Sequence, residues 1–388
     1  MADALATGRA KRFARGLVLG KFYPLHAGHS NLIRAGLVAC EELVVEVLGS
    51  SVESIPLETR VAWLREEHPT ATVVSAMDDA PIDYGDPAVW ELHMRVIESL
   101  LPGPVDAVFS SDSYGEELAD RLGAEWVCVD PDRTATPISG TAVRDDPAAS
   151  WWALAPCVRA TLAPRVVVLG AESTGSTTLA EALAERLETL WVPEYGREHT
   201  IVREGGLETP WRSDEFDLIV DRQIGLEDAA LRRVPRPLLL CDTDVLATAL
   251  WHERYVGSPA PAVLARASAH APALYVLTGD DIPFVQDGYR DGEHIRHAMQ
   301  QRFRDELAAR EVPWLEVTGT VAERVEQALP AIAETVRRAL TYAVPLTDPS
   351  VTGAGRESSG AGRESTGAGR ESTGARQAAS ATGTGPSR

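Results

Sequence analysis

Residues 20–29, which read GKFYPLHAGH, constrain the fold of this chain more than any other stretch. They follow an apolar run at 17–19 of the kind that forms a buried parallel strand. Apolar residues at helical spacing come after them, so the stretch is predicted to be a strand-to-helix turn. Glycines let the backbone approach a ligand, and a helix N-terminus presents unpaired N–H groups at the same place. The turn is therefore predicted to bind an anion such as a nucleotide phosphate, with a structural histidine pair as the alternative.

Length, charge and cysteine content exclude several classes of function. The 388 residues allow two domains with cores of their own. A formal charge of −20 argues against nucleic-acid binding, because phosphate backbones attract a basic face. The four cysteines form no CxxC pair, which argues against a zinc site or a disulfide framework. Without a signal peptide or a long apolar run, we expect a cytoplasmic protein with no membrane partner.

Apolar, strand-like runs alternate with helix-like segments throughout the first half. The runs lie at 17–19, 43–49, 72–74, 105–109 and 126–129. This alternation predicts a doubly wound parallel sheet for residues 16–160, preceded by a flexible N-terminus at 1–15. Ligands of such sheets bind beyond the carboxyl ends of the strands, where the histidine turn lies.

A second strand, turn and helix follow a short connector at 156–164. Residues 170–177 match the P-loop motif GxxxxGK[ST] except that Ser176 stands in place of the lysine. Their N–H groups can still surround phosphates, and Thr177 can still bind Mg²⁺. The alternative is that this segment is a glycine-containing turn that binds no nucleotide. The predicted ATP contacts are Gly170, Glu172, Ser173, Thr174, Gly175, Ser176 and Thr177. This half contains no lysine, so either an arginine replaces it or the activity is weak, and the candidates are Arg197, Arg203, Arg222, Arg290 and Arg296.

Two carboxylates close a buried strand at 238–241. Asp242 and Asp244 occupy the place of a Walker B-type ligand for a metal or a substrate, and Asp242 is the predicted metal ligand with Thr177. Trp251 and Tyr255 follow at helical spacing and belong either to the core or to a ring-stacking pair. A second parallel-sheet domain is thus predicted for 164–342. The low-complexity segment at 343–388 is too poor in apolar residues to form a core and is predicted to be disordered.

The histidine turn resembles the GxFxPxHxGH signature of the HIGH-type nucleotidyltransferases. Its residues are most similar to those of the NadR-like bifunctional enzymes of NAD salvage. Residues 138–144, ISGTAVR, are similar to the ISxTxxR signature of the same enzymes, with Ser139 as the expected N-cap. The resemblance implies a Rossmann-like domain that transfers the adenylyl group of ATP to nicotinamide mononucleotide, giving NAD. It assigns ATP binding to Gly20, Phe22, His26, His29, Ser139, Thr141 and Arg144, and the attacking or transferred phosphate to Lys21. Trp90 is a candidate to stack on the nicotinamide ring, or else a core residue.

The second half resembles the ribosylnicotinamide kinases of the same enzymes. Residues 193–198 are similar to their EYxRE segment, and residues 280–291 to their substrate-closing loop. The implied reaction transfers the γ-phosphate of ATP to ribosylnicotinamide, with Asp242 as first choice to orient the hydroxyl, Asp244 second, and Glu172 or Glu194 as alternatives. The resemblance assigns substrate binding to Glu194, Tyr195, Arg197, Asp244, Trp251 and Tyr289, and the transferred phosphate to Arg290.

The resemblance covers about residues 16–330 and implies a bifunctional enzyme with Mg²⁺ as cofactor and ATP as co-substrate. Its expected partners are ATP, nicotinamide mononucleotide and ribosylnicotinamide, with homo-oligomers possible. Only about 15 residues precede the first strand, which leaves no room for the DNA-binding module of some members, so we expect no DNA binding. Two alternatives stay open. In the first, which Ser176 motivates, the kinase-like half binds nucleotide as a sensor and transfers no phosphate. In the second, the nucleotidyltransferase uses a different acceptor.

Overall fold

The computed structural model describes residues 11–286 and 292–346. Within them the chain forms two parallel sheets of five strands each, in the orders β3-β2-β1-β4-β5 and β10-β9-β6-β8-β7. The elements of the first half are β1 (Phe13–Gly20), α1 (Ala27–Ala39), β2 (Cys40–Gly49), α2 (Leu57–Glu67), β3 (Thr72–Met77), α3 (Pro87–Leu100), β4 (Ala107–Ser110), α4 (Tyr114–Leu122), β5 (Glu125–Cys128) and α5 (Gly140–Asp145). The predicted class of two doubly wound α/β domains is confirmed.

The second half follows a short 3-10 turn (Trp151–Ala153) and α6 (Pro156–Leu162). Its elements are β6 (Arg165–Leu169), α7 (Ser176–Arg186), β7 (Leu190–Val192), α8 (Tyr195–Val202), a 3-10 turn (Gly206–Glu208), α9 (Ser213–Leu231), β8 (Leu239–Asp242), α10 (Val245–Val256), α11 (Pro261–Ala269), β9 (Leu274–Thr278), α12 (Glu293–Ala308), β10 (Trp314–Val317) and α13 (Val321–Ala339). None of the helices described by the structure is long and apolar enough to cross a membrane.

The two candidate loops lie at the centre of their sheets. β1 pairs with β2 and β4, and β6 pairs with β8 and β9, all in parallel. The middle of β1, at 16–18, and residues 166–169 of β6 are buried, because helices cover both faces of a doubly wound sheet. The turn after β1 and the P-loop after β6 therefore sit at the carboxyl edges of the sheets, where ligands of this architecture bind.

Several predicted boundaries are corrected by the structure. β1 begins at Phe13, inside the segment predicted to be flexible, because Phe13 pairs with Cys40 and packs its ring edge-on against Phe109. The connector at 156–164 is mostly helical, since α6 begins with a proline and buries two of its side chains. The helix after the P-loop ends at Arg186, and the chain then pairs with β8 as β7.

The C-terminal boundary also differs. Residues 343–346, predicted as the start of the disordered tail, pack against the first half: the hydroxyl of Tyr23 donates to the carbonyl of Ala343, 3.1 Å away. The rest of the predicted tail, 347–388, lies outside the described residues.

Tryptophans join the two halves across the connector. The indole N–H of Trp151, which is 2% exposed, donates to the carbonyl of Val234 in the second half (3.0 Å). The indole N–H of Trp63 in α2 donates to Thr161 in α6 (2.9 Å). Burying large rings whose polar atoms are paired stabilises a contact strongly, so the halves meet through a packed interface.

Candidate active sites

Two histidines close the turn after β1. His26 is the N-cap of α1, and its Nδ1 accepts hydrogen bonds from the backbone N–H groups of Gly28 (3.1 Å) and His29 (3.4 Å). The Nδ1 of His29 accepts from the N–H of His26 (3.4 Å), and the two rings stack with centroids 3.7 Å apart. Because each Nδ1 accepts a bond, each neutral ring carries its proton on Nε2. The backbone thus fixes both rings and leaves their Nε2–H groups for another partner.

Burial keeps these rings uncharged. The pKa of His26 is lowered to about 4, first by burial and then by the charges of Arg133 and Arg144. The pKa of His29 is held well below its usual range, again first by burial. Within the part of the chain that the structure describes, Nε2 of His26 is buried and has no hydrogen-bond partner. A phosphate oxygen placed in the cavity would satisfy this donor.

The second motif lies directly beside the first. Ser139 caps α5 by accepting a hydrogen bond from the N–H of Ala142 (3.1 Å). Arg144 donates to the carbonyl of Tyr23 (2.8 Å), which lies in the histidine turn. A Cβ added at Gly140 would lie 3.0 Å from Arg144 Nη1 and 3.8 Å from Nε2 of His26. The structure therefore brings the two predicted phosphate-binding segments together around one space.

Both motifs line a cavity of about 440 Å³. Its far wall includes Trp90, which is 5% exposed and donates its indole N–H to the carbonyl of Tyr84 (3.2 Å). Tyr84 stacks on Tyr114 with centroids 5.8 Å apart, and Nδ1 of His93 lies 2.6 Å from Asp78. Tyr84, Tyr114, His93 and Asp78 all line the cavity. They could not be predicted from the sequence, because no local motif marks them. Trp90 is thus buried and still forms part of the wall.

Lys21 stands at the rim of this cavity. Its Nζ donates to Glu53 (3.1 Å) and to the backbone carbonyl of Leu346 (3.1 Å). The other oxygen of Glu53 pairs with Arg60 (2.8 Å), and both of these side chains are buried. Arg60 also donates to the backbone carbonyl of Lys21 (2.9 Å). The predicted phosphate-binding lysine is therefore held from three sides.

The second half forms the predicted P-loop between β6 and α7. A Cβ at Gly170 would lie 2.4 Å from the hydroxyl of Thr278 and 2.5 Å from that of Thr174, so only glycine fits there. Gly175 has φ +86°, a left-handed conformation that glycine adopts without strain. Ser176 is the first residue of α7 and lines the cavity in front of the loop. The glycine geometry of a P-loop and the helix that follows it are therefore present, although the lysine is not.

Thr177 and Asp242 form a pair that fits Mg²⁺. The hydroxyl of Thr177 donates to Oδ2 of Asp242, while Oδ1 of Asp242 is buried without a hydrogen-bond partner among the described residues. Burial also raises the pKa of Asp242. No cluster of three or more His, Cys, Asp or Glu side chains suited to a metal occurs in residues 11–286 and 292–346. Mg²⁺ is often held by one or two carboxylates with phosphates and water, so the unpartnered oxygen fits this ion.

An aromatic wall faces the P-loop across a cavity of about 190 Å³. The ring of Tyr255 contacts Trp211 and Trp251, with centroids 5.5 and 5.9 Å away and interplanar angles of 26°. The Tyr255 hydroxyl donates to Glu172 (3.4 Å). Sequence reasoning missed Trp211, which precedes α9 outside any motif. Trp251 and Tyr255 form a stacked pair that lines the cavity.

Glu194, at the N-cap of α8, lies on the same wall. Burial raises its pKa to about 8, and the negative charge of Asp242 contributes next. Arg197, in the first turn of α8, also lines the cavity.

The structure gives Asp244 a different role from the predicted one. Its carboxylate is 1% exposed, caps α10 by accepting from the N–H groups of Leu246 and Ala247, and accepts a bond from the hydroxyl of Tyr275 (2.7 Å). These bonds fix a strand-to-helix turn and keep the carboxylate off the cavity wall. Tyr195 also lies off that wall. Tyr289 and Arg290 lie outside the described residues.

Comparisons with known proteins agree with the motifs. Residues 165–324 match the model of a family described as an AAA domain. The trifunctional NAD biosynthesis/regulator protein NadR of Salmonella typhimurium is 27% identical over 323 residues, covering 78% of each chain. A nicotinamide-nucleotide adenylyltransferase of Aeropyrum pernix is 32% identical over 114 residues, covering 28% of this chain and 64% of its own.

Two solved structures share the fold. A NadR protein in complex with NR has a TM-score of 0.64 at 20% identity, covering 88% of this chain and 98% of its own. A NadR protein in complex with NAD and AMP-PNP has a TM-score of 0.60 at 20% identity, covering 84% and 96%. The chain is therefore NadR-like, as its motifs predicted. At the level of the family, these relationships connect it with NAD biosynthesis and with a transferase activity.

Proposed function

We propose that the first half transfers the adenylyl group of ATP to nicotinamide mononucleotide, giving NAD and pyrophosphate. The observation that carries this proposal is the convergence of the histidine pair, Arg144 and Lys21 on one cavity of about 440 Å³. Buried neutral Nε2–H donors, a guanidinium and an ammonium group form a set suited to a polyphosphate. The aromatic wall with Trp90 suits the pyridinium ring of the acceptor.

The chemistry in this cavity needs positioning and charge neutralisation rather than a base. An oxygen of the acceptor phosphate attacks the α-phosphorus of ATP, and the bond to pyrophosphate breaks as the new P–O bond forms. The attacking oxygen is already anionic, so no proton is removed. His26 and His29 donate to the phosphates from Nε2, Arg144 neutralises the leaving pyrophosphate, and Lys21 attracts the attacking phosphate.

We propose that the second half phosphorylates ribosylnicotinamide and so produces the acceptor of the first half. The P-loop, the pair Thr177 and Asp242, and the stacked aromatic wall support a phosphoryl donor and a ring-bearing acceptor in one cavity. Mg²⁺ at Thr177 and Asp242 would supply charge neutralisation at the β- and γ-phosphates.

Glu194 is the proposed partner of the acceptor hydroxyl. Asp242, the first choice from sequence, lies behind Thr177 and is bonded to it, whereas Glu194 lines the cavity. The hydroxyl oxygen attacks the γ-phosphorus, the bond to ADP breaks, and the proton passes to Glu194. A carboxylate with a pKa near 8 is well matched to accept a proton near neutral pH.

The test supplies the purified chain with ATP, Mg²⁺ and ribosylnicotinamide and measures mononucleotide and NAD separately. Formation of both is the expected result. A parallel reaction supplied with nicotinamide mononucleotide tests the first half alone, and absence of NAD there would overturn its assignment. NAD only in this parallel reaction would favour the second candidate, a kinase-like half that senses nucleotide, which the serine at position 176 motivates.

A further inference from the structure

We infer that Arg197 supplies, from helix α8, the positive charge that the lysine of other P-loops supplies to the terminal phosphates of the nucleotide. This inference rests on the proposed nucleotide site of the second half and deepens it. It selects Arg197, which the sequence offered both as a substrate contact and as one of five lysine replacements, as the group that touches the phosphoryl donor.

The need for such a group follows from the sequence. Both lysines of the chain, Lys11 and Lys21, lie in the first half, so the surrogate in the second half must be an arginine or a histidine. Among the described residues that line the second cavity, Arg197 is the one basic side chain. The wall also carries Ser176, whose short side chain cannot reach across the cavity as a lysine would.

The protein engages two of the other candidates in structural contacts. Arg203 is 9% exposed and donates to Glu215 (2.9 Å) and to the carbonyl of Thr209 (2.9 Å). Arg296 is 3% exposed and donates to the carbonyl of Ile282 (2.7 Å). Neither side chain lines the cavity. Both guanidinium groups therefore stabilise the local protein structure.

Two further candidates lie elsewhere. Arg222 is exposed on α9 and off the cavity wall. Arg290 lies outside the described residues.

A buried arginine behind the loop has a different role. Arg324 donates to the backbone carbonyls of Thr174 and Gly279 and pairs with Asp281 (2.7 Å). It is 2% exposed and does not line the cavity in front of the loop. It positions the P-loop, and the phosphates would lie on the opposite side.

Arg197 lies within electrostatic reach of both carboxylates of the site. Its charge lowers the pKa of Glu194 and of Asp242, working against their burial. Glu194 is the proposed partner of the acceptor hydroxyl and Asp242 the proposed metal ligand, so the transferred phosphate would pass between groups that Arg197 already influences. A guanidinium can bind two phosphate oxygens at once, which suits it to this position.

Four variants test the inference: R197A, S176K, the double variant S176K/R197A, and R222A as a matched loss of an exposed arginine. We expect R197A to lower kcat/KM for phosphorylation of ribosylnicotinamide by about 100-fold. Restoring the P-loop lysine in the double variant should recover at least about tenfold of this loss. R222A should behave as the wild type, and NAD formation from supplied mononucleotide should be unchanged in all four. Full kinase activity in R197A, or no recovery in the double variant while S176K alone stays active, would overturn the inference.

A binding experiment separates this inference from the kinase assignment. If the wild type makes no mononucleotide, the proposed kinase activity fails, and the affinities for ATP and ADP can still be measured calorimetrically with the first site saturated by NAD. If Arg197 contacts the terminal phosphate, R197A should weaken the binding of ATP by about tenfold and the binding of ADP by less. Equal losses for both nucleotides, or no loss for either, would contradict the assignment.

Discussion

The Nζ of Lys21 donates a hydrogen bond to the carbonyl of Leu346, although the two residues are 325 positions apart in the chain. Leu346 lies beyond α13, the last helix of the second half, and lines the first cavity. The same segment is fixed by two more bonds, from the Tyr23 hydroxyl to the carbonyl of Ala343 and from the N–H of Ala343 to Ser54, each 3.1 Å long. The chain leaving the second half thus completes the wall of the site in the first.

Removing this segment should impair adenylyl transfer. Truncation after Leu340 deletes the wall at Leu346 and one partner of Lys21, so we expect kcat/KM for NAD formation from mononucleotide to fall about tenfold as positioning is lost and water enters. Truncation after Leu346 keeps the wall and is the matched control. Equal activity of the two truncated chains would show that the segment does not contribute to catalysis.

His26 should act through its Nε2–H group. Asparagine is a good N-cap and can replace the Nδ1 acceptor, but H26N removes the donor at Nε2. We expect kcat/KM for adenylyl transfer to fall about 100-fold in H26N while the melting temperature stays within about 3 °C of the wild type. Calorimetry and steady-state kinetics on the same preparation check both values. A large loss of stability with the activity per folded molecule intact would indicate a purely structural ring.

The pH profile of the second reaction should reflect Glu194. Its pKa of about 8 means that the carboxyl is protonated at pH 6 and ionised above pH 8, and only the ionised form can take the proton of the acceptor hydroxyl. We expect kcat/KM for phosphorylation to rise with pH up to about 8 and then level off. E194Q should lower kcat by at least about 100-fold and abolish this rise. If the pH profile of kcat/KM is unchanged in E194Q, a group other than Glu194 accepts the proton of the acceptor hydroxyl.

Local patterns predicted the parts of this structure that depend on neighbouring residues. The P-loop and the cap at Ser139 follow from short motifs, because a strand, a turn and a helix are specified within a few residues. Contacts between distant segments have no such signal. The stacking of Tyr84 on Tyr114 and the bond from Lys21 to Leu346 depend on how the helices pack. The role of Asp244 could not be predicted either, because the direction of a side chain at the end of a strand does not follow from the sequence. Its carboxylate points to the N-terminus of α10 and caps that helix.

Glu46 of β2 should make the stability of the protein fall as the pH rises. The residue is fully buried, and neither of its carboxylate oxygens has a hydrogen-bond partner within residues 11–286 and 292–346. Burial raises its pKa from 4.5 to about 8. The folded chain therefore keeps this proton up to about pH 8, whereas the unfolded chain releases it above about 4.5, so unfolding becomes easier across that window.

The variant E46Q isolates this effect, because glutamine keeps the shape and stays neutral. Other groups titrate in both chains, so the quantity to measure is the difference between wild type and variant in the free energy of unfolding by urea. At pH 5 the two chains should differ little. At pH 8 we expect E46Q to be more stable than the wild type by about 4 kcal/mol, because the variant does not bury a group whose pKa folding moves from 4.5 to about 8. A difference that does not change between pH 5 and pH 8 would mean that the carboxyl of Glu46 is ionised and compensated in the folded protein.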